Sequence, residues 1–113
     1  MRFQIDKKFT PIIKLEKTCY ASPAQWEGKL ESGHLIYIRY RYGNLSISIS
    51  ENVTENIFEA IEGIELLCEN IGDGLDGFIE FKELKPYLEE IFDLSKLNYT
   101  GENEYFDTIF DNI

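Results

Sequence analysis

Leu35-Ile-Tyr-Ile-Arg-Tyr-Arg-Tyr42, then Gly43-Asn44, then Leu45-Ser-Ile-Ser-Ile-Ser50, make two runs of alternating side chains joined by two turn-forming residues. Alternation with a period of two belongs to a strand with one face buried, and a Gly-Asn pair between two such runs predicts a hairpin. Pairing Tyr42 with Leu45 puts Ile36, Ile38, Tyr40, Tyr42, Leu45, Ile47 and Ile49 on one face. Leu35, Tyr37, Arg39, Arg41, Ser46, Ser48 and Ser50 then fall on the other. One face is core and the other is polar and basic.

Working outward, the segment Gln25-Trp-Glu-Gly-Lys-Leu-Glu31 predicts a preceding strand, joined through Ser32-Gly33-His34. A three-residue loop there aligns Trp26, Gly28 and Leu30 with the core face and sets Glu27 opposite Arg39. A two-residue loop would flip the strand and bury Lys29, so the longer loop is preferred. Trp26 reads as a core anchor. Phe3 with Ile5, and Ile12 to Leu15, read as further strands, with Ser22-Pro23 as a break before the meander.

After Ser50 the apolar period changes. Ile57, Ile61, Ile64, Cys68 and Ile71, widened by Phe58 and Leu67, form a stripe at helical spacing, and Asn52 with Glu55 has the pattern of a capping box. A helix from Val53 to Asn70 packed on the apolar sheet face is predicted. A glycine-rich corner, a short strand Phe78-Ile-Glu-Phe81 and a second amphipathic helix follow. That helix carries Leu84, Leu88, Ile91 and Phe92, with Pro86 in its first turn. The fold class expected is α+β: an antiparallel meander of four to five strands packed on one face by a long helix, with a second short helix and an acidic C-terminal segment. One domain is expected over 1–113, with strands in 1–50, helices in 51–93 and the acidic tail in 94–113, where Phe106, Ile109, Phe110 and Ile113 are spaced helically.

The chain has 113 residues and a net charge of −10, divided unevenly. Residues 1–42 hold eight Lys and Arg against four Asp and Glu, and residues 43–113 hold three against seventeen. A strongly acidic half repels nucleic acid and membrane surfaces and attracts basic proteins. No apolar run is long enough for a signal peptide or a membrane span, so a cytoplasmic protein is expected. Cys19 and Cys68 have no metal-ligand or disulfide-framework spacing and are expected as buried reduced thiols. The sequons at Asn44, Asn52 and Asn98 matter only in a secreted chain.

Three groups of residues are candidates for a site. Glu55, Glu59, Glu62, Glu65 and Glu69 form a row on the outer face of the predicted first helix with no cation among them, extended by Glu89, Glu90 and Asp93. Like charges at this spacing cost about 0.2–0.5 kcal/mol per pair, so the row points to a basic protein partner, such as one with a surface that otherwise holds nucleic-acid phosphates. Lys29, Tyr37, Arg39 and Arg41 form a secondary basic and aromatic face over a ladder of serines, suited to a phosphate, a single strand or an acidic peptide. The same face also suits pairing with the acids of this chain, or the acidic helices of a second copy in a homo-oligomer. The third group lies in Gly72-Asp-Gly-Leu-Asp-Gly-Phe-Ile-Glu-Phe-Lys-Glu83, which resembles the calcium loop of the EF-hand family over twelve residues. Aligned on Gly77 as the turn glycine, the resemblance implies calcium ligands at Asp76, the Phe78 carbonyl, Glu80 and Glu83, between flanking helices. The first and third loop positions, carboxylates in the family, are Gly72 and Gly74 here. Without the resemblance, Asp73-Gly74 and Asp76-Gly77 read as turn dipeptides.

No nucleophile elbow, phosphate loop, paired histidines or Cys-His spacing occurs, and the single histidine, His34, falls in a predicted loop. The function expected is therefore non-catalytic: a small acidic protein-binding module of inhibitor or immunity type, with no cofactor, no direct nucleic-acid contact and no membrane contact. A calcium-responsive module and a homo-oligomeric subunit are the alternatives.

Overall fold

A computed structural model of the chain describes residues 10–19, 24–72 and 79–101. Its elements are β1 (Ile12–Cys19), β2 (Ala24–Leu30), β3 (Leu35–Arg41), β4 (Asn44–Ile49), α1 (Phe58–Ile61), β5 (Ile64–Asn70), α2 (Phe81–Glu89) and β6 (Asn98–Thr100). The strands form one six-stranded sheet in the order β5-β4-β3-β2-β1-β6. β1 to β5 pair as consecutive antiparallel neighbours, and β6 returns parallel to β1 at the far edge.

The expected hairpin forms with both loops one residue earlier than expected, which shifts each strand pairing by two. Arg41 pairs with Asn44 and Tyr40 with Leu45, so the turn is Tyr42-Gly43, both at positive φ (53° and 79°). That is the two-residue turn whose twist matches the strands. The Gly43 carbonyl thereby becomes free to accept from the N–H groups of Ile71 (2.8 Å) and Gly72 (3.1 Å). The β2–β3 loop is Glu31-Ser32-Gly33, closed by Leu30 N–H to His34 O at 2.8 Å, with Gly33 at φ 98°. The left-handed third position of such a loop suits glycine, whereas the expected loop would have put His34 there. Glu27 consequently faces Tyr37, not Arg39, across the ladder. A shift of two residues leaves each side chain on its face. Only Tyr42 changes role, leaving the core face for the turn, where it is 55 % exposed.

The inner face holds the core: Leu15, Trp26, Leu30, Ile36, Ile38, Tyr40, Leu45, Ile47 and Ile49, each at most 1 % exposed. α2 covers it with Leu84 and Leu88, followed by Phe92 one turn on. The chain crosses this face from β5 at one edge to β6 at the other. Ile12 N–H donates to Asp93 O at 3.1 Å and ties the exit of α2 to β1. Trp26 donates its indole N–H to Tyr99 Oη at 3.1 Å, and Tyr99 stacks on Phe81 with ring centres 4.0 Å apart. Lys17, 3 % exposed, lies 5.1 Å over the Trp26 ring and donates to Ile79 O at 3.0 Å. Pro86 sits inside α2, beyond the first turn expected for it.

The long helix over 53–70 does not exist. In its place stand the single turn α1 and the antiparallel strand β5, so the molecule is mostly β and the interval 51–93 contains a strand between two short helices; the parallel β6 makes the sheet mixed, not a pure antiparallel meander. Three local facts defeat the helix. A Cβ at Gly63 would run into the Ile49 and Glu59 carbonyl oxygens, so the chain turns there against β4. The uncompensated glutamates oppose a helix. β4 is left with an open ladder that Ile64 to Asn70 fill. Asn52 and Glu55 cap nothing; Asn56 Oδ1 accepts from Phe58 N–H at 3.1 Å instead. The expected strand over 78–81 does not form at its described residues, since Phe81 opens α2. The expected strand at Phe3 and Ile5, the break at Ser22-Pro23 and the helical spacing of residues 102–113 lie outside the described residues. No described helix is long and apolar enough to cross a membrane.

Candidate functional site

β-strand alternation sends Lys14, Glu16, Glu27, Lys29, Leu35, Tyr37, Arg39, Arg41, Ser46 and Ser48 to the outer face. α1 covers one end of this face. Ser48 Oγ donates to Ala60 O at 2.7 Å, Ala60 is fully buried and Leu35 is 8 % exposed beneath the turn. The opposite end, towards the Tyr42-Gly43 turn, is open.

The glutamate row is dispersed by this arrangement. Glu55 lies in the loop before α1 and pairs with Lys29 Nζ at 2.8 Å. Glu59 is in α1, where its carboxylate accepts from Thr54 Oγ1 at 2.8 Å, and Glu62 caps the end of the turn. Glu65 and Glu69 are on β5, opposite Ser48 and Leu45. Glu89 and Glu90 end α2 on the other side of the sheet, and Asp93 follows them. Hydrogen bonding from Ser95, whose N–H donates to Asp93 Oδ1 at 2.8 Å, holds that carboxyl below the usual range. Glu55, Glu59 and Glu62 therefore stay together, and Glu89, Glu90 and Asp93 form a separate acidic end.

What joins the first three is a feature missed in the sequence. Phe58 and Val53 are each 65 % exposed and Ile61 is 41 % exposed, all within the segment that also carries Glu51, Glu55, Glu59 and Glu62. Phe58 and Ile61, three residues apart on α1, share its solvent side, while Ile57 and Ala60 turn towards the sheet. Read as part of a long helix, Phe58 and Ile61 belonged to the core stripe; on a single turn they point outward.

The basic face also divides. Lys29 lines a concavity of about 260 Å³ with Lys14, Glu16, Glu27 and Glu55, where both signs of charge are present. Arg39 and Arg41 line a second one of about 290 Å³ with Tyr42, Asn44, Ser46, Glu65 and Cys68. Tyr37 lies on the strand between the two groups, across from Glu27 and Ser48. Burial pushes its phenol up from the ordinary value, Arg39 opposes that, and Glu27 and Cys19 add to it. Cys68 is exposed and Cys19 half-buried, against the expectation of two buried thiols.

The calcium reading loses its context. The element entering the loop is the strand β5, not a helix, and Glu80 and Glu83 form the capping box of α2, with Glu83 Oε1 accepting from Glu80 N–H at 3.2 Å. Glu80 is also 3.3 Å from Lys82 Nζ. Asp76 and Phe78 lie outside the described residues. Among the described residues no group of three or more His, Cys, Asp and Glu side chains could hold a metal ion.

Comparison of the chain with protein-family models, with curated proteins and with solved structures finds no match in any of the three. A functional reading therefore rests on the residues and their geometry.

Proposed function

We propose that this chain is a small non-catalytic binding module that docks on a basic partner protein through residues 51–62, in the manner of an inhibitor or immunity protein covering a basic site. The observation that supports this reading is the exposure of Phe58 (65 %) and Ile61 (41 %) on a single helical turn ringed by Glu51, Glu55, Glu59 and Glu62. An exposed aromatic set among carboxylates supplies the two things a tight interface needs. The ring fills a pocket and carries most of the affinity, while the surrounding charge sets register and association rate. α1 is also held in place before binding, by the Ser48 to Ala60 hydrogen bond and the close approach of Gly63 to Ile49, so little ordering cost remains.

The test is affinity capture from a lysate of the source organism with three baits: the native chain, Phe58→Ala, and Glu59→Lys with Glu62→Lys. A basic protein held by the native chain should bind Phe58→Ala at least ~30-fold more weakly, the equivalent of about 2 kcal/mol. The charge-reversed bait should associate more slowly and lose its salt dependence. A partner held equally by all three baits overturns the reading.

A further inference from the structure

We propose that the concavity at the open end of the outer face binds the phosphate group of a small phosphorylated molecule, independently of the docking surface on α1. Charge pairing elsewhere in the chain makes this concavity stand out. Acidic residues outnumber basic ones 21 to 11, and three of the described lysines have found a carboxylate, Lys29 with Glu55 at 2.8 Å, Lys96 with Glu31 at 2.7 Å and Lys82 with Glu80 at 3.3 Å, while Lys14 and Lys85 stand singly on the surface among the described residues. Arg39 and Arg41, two residues apart on β3, make no ion pair with a described carboxylate. The Arg39 Nε is buried and has no acceptor among the described residues. A buried guanidinium N–H without an acceptor costs free energy, which the Arg39 side chain recovers by turning Nε towards an anion in the concavity it lines.

The surrounding groups are arranged as donors. Ser46 stands opposite Arg39 and Asn44 opposite Arg41 in the β3–β4 ladder. Asn44 Oδ1 accepts from Asn70 Nδ2 at 3.2 Å, which orients the Asn44 amide nitrogen as the group left to donate. Arg41 is fixed by its neighbour: its guanidinium carbon lies 4.8 Å from the Tyr42 ring centre, and Nη2 donates to Tyr42 Oη at 3.2 Å. Two guanidinium forks, a hydroxyl and an amide converging from adjacent strand pairs suit a group rich in acceptors and carrying about two negative charges, which describes a phosphate monoester better than a single carboxylate. At about 290 Å³ the concavity is larger than a bare phosphate, and Tyr42 supplies a wall for the rest of the ligand. Glu65 on the β5 side accepts hydrogen bonds and repels anions, which confines the phosphate to the arginine side of the concavity. That restricts the ligand to one whose other end carries hydroxyl or amine groups. The repulsion of the distant acids is screened beyond roughly 8 Å at physiological salt.

The experiment is a titration of the full chain, followed by amide chemical shifts, with inorganic phosphate, with glycerol 3-phosphate, and with sodium chloride at matched ionic strength. The two phosphates should give saturable shifts at Arg39, Arg41, Ser46 and Cys68, with glycerol 3-phosphate binding more tightly. Arg41→Gln should weaken both at least tenfold while the rest of the spectrum stays native, since Arg41 is exposed. Arg39→Gln should do the same, and Phe58→Ala should change nothing. Shifts reproduced by chloride, shifts that do not saturate, or undiminished binding in Arg41→Gln would overturn the proposal.

Discussion

The two faces of the sheet are built from alternate residues of the same five antiparallel strands, yet one is closed and the other mostly open. On the inner face Trp26, Ile36, Ile38, Leu45, Ile47 and Ile49 are at most 1 % exposed, and α2 lies across them. On the outer face the neighbouring positions are Gln25, Glu27, Tyr37, Arg39, Ser46 and Ser48, and one helical turn covers only the end near Leu35. Apolar burial at about 25 cal/mol per Å² is thus concentrated in one layer. The other layer can carry charge and an exposed aromatic without weakening the fold. Because the strand period is two, a change of specificity on the outer face leaves every core position untouched.

Substitutions that strike the two layers unequally put this comparison at risk. Trp26→Ala should be the most damaging, at about 3–5 kcal/mol, because it empties the centre of the inner face and leaves Tyr99 Oη without its indole donor. A loss under 1 kcal/mol in urea unfolding would mean that the inner face is not where stability resides. Leu35→Ala, under α1, should cost about 2 kcal/mol, the largest loss available on the outer face. Gly63→Ala should cost about 1–3 kcal/mol, because its methyl group meets the Ile49 carbonyl oxygen and pushes the junction of α1 and β5 away from β4. It should also broaden the amide signals of both elements. Glu55→Ala removes the Lys29 pair, whose glutamate side chain is 83 % exposed, and should change stability by about 0–1 kcal/mol, with the difference vanishing at high salt.

The smallest effect expected is a pH effect at Tyr37. Its folded-state pKa lies above the ordinary tyrosine value through burial, so the folded chain favours the protonated phenol. The stability from this source is fully present below the unfolded-state pKa near 10 and is lost as pH rises through the folded-state value. Alkaline denaturation curves should therefore show a decline that is shallower in Tyr37→Phe. An identical decline in both would assign it to other groups.

The hairpin was legible in the sequence because its pattern tolerates error. Both of its loops sit one residue earlier than expected, which moves each pairing by two, and an even shift cannot move Ile38 or Arg39 to the wrong face. The segment 53–70 was illegible for a related reason. β5 carries a bulge opposite Ile47 and Ser48, so its core-facing residues Ile64 and Leu67 are spaced by three. A bulged strand preceded by one helical turn reproduces the spacing of a long amphipathic helix. Two signals pointed the other way: Gly63 in the middle of the stripe, and a row of glutamates without a lysine. Of the candidate sites, the arginine pair could be read from alternation alone. The docking turn could not, because Phe58 changes from core residue to exposed residue when the helix around it shrinks to four residues.

β5 is the last strand of the described sheet, and its outer ladder is unpaired there. Such an edge is where sheets copy themselves into polymers. A second copy added in parallel register would stack Glu65 on Glu65 and Glu69 on Glu69; one added antiparallel about Leu67 would set Glu65 against Glu69 twice. Parallel in-register pairing, and antiparallel pairing about Glu65, Leu67 or Glu69, thus confront carboxylate with carboxylate. The acids that failed to make a helix face act as a guard on these registers of self-assembly.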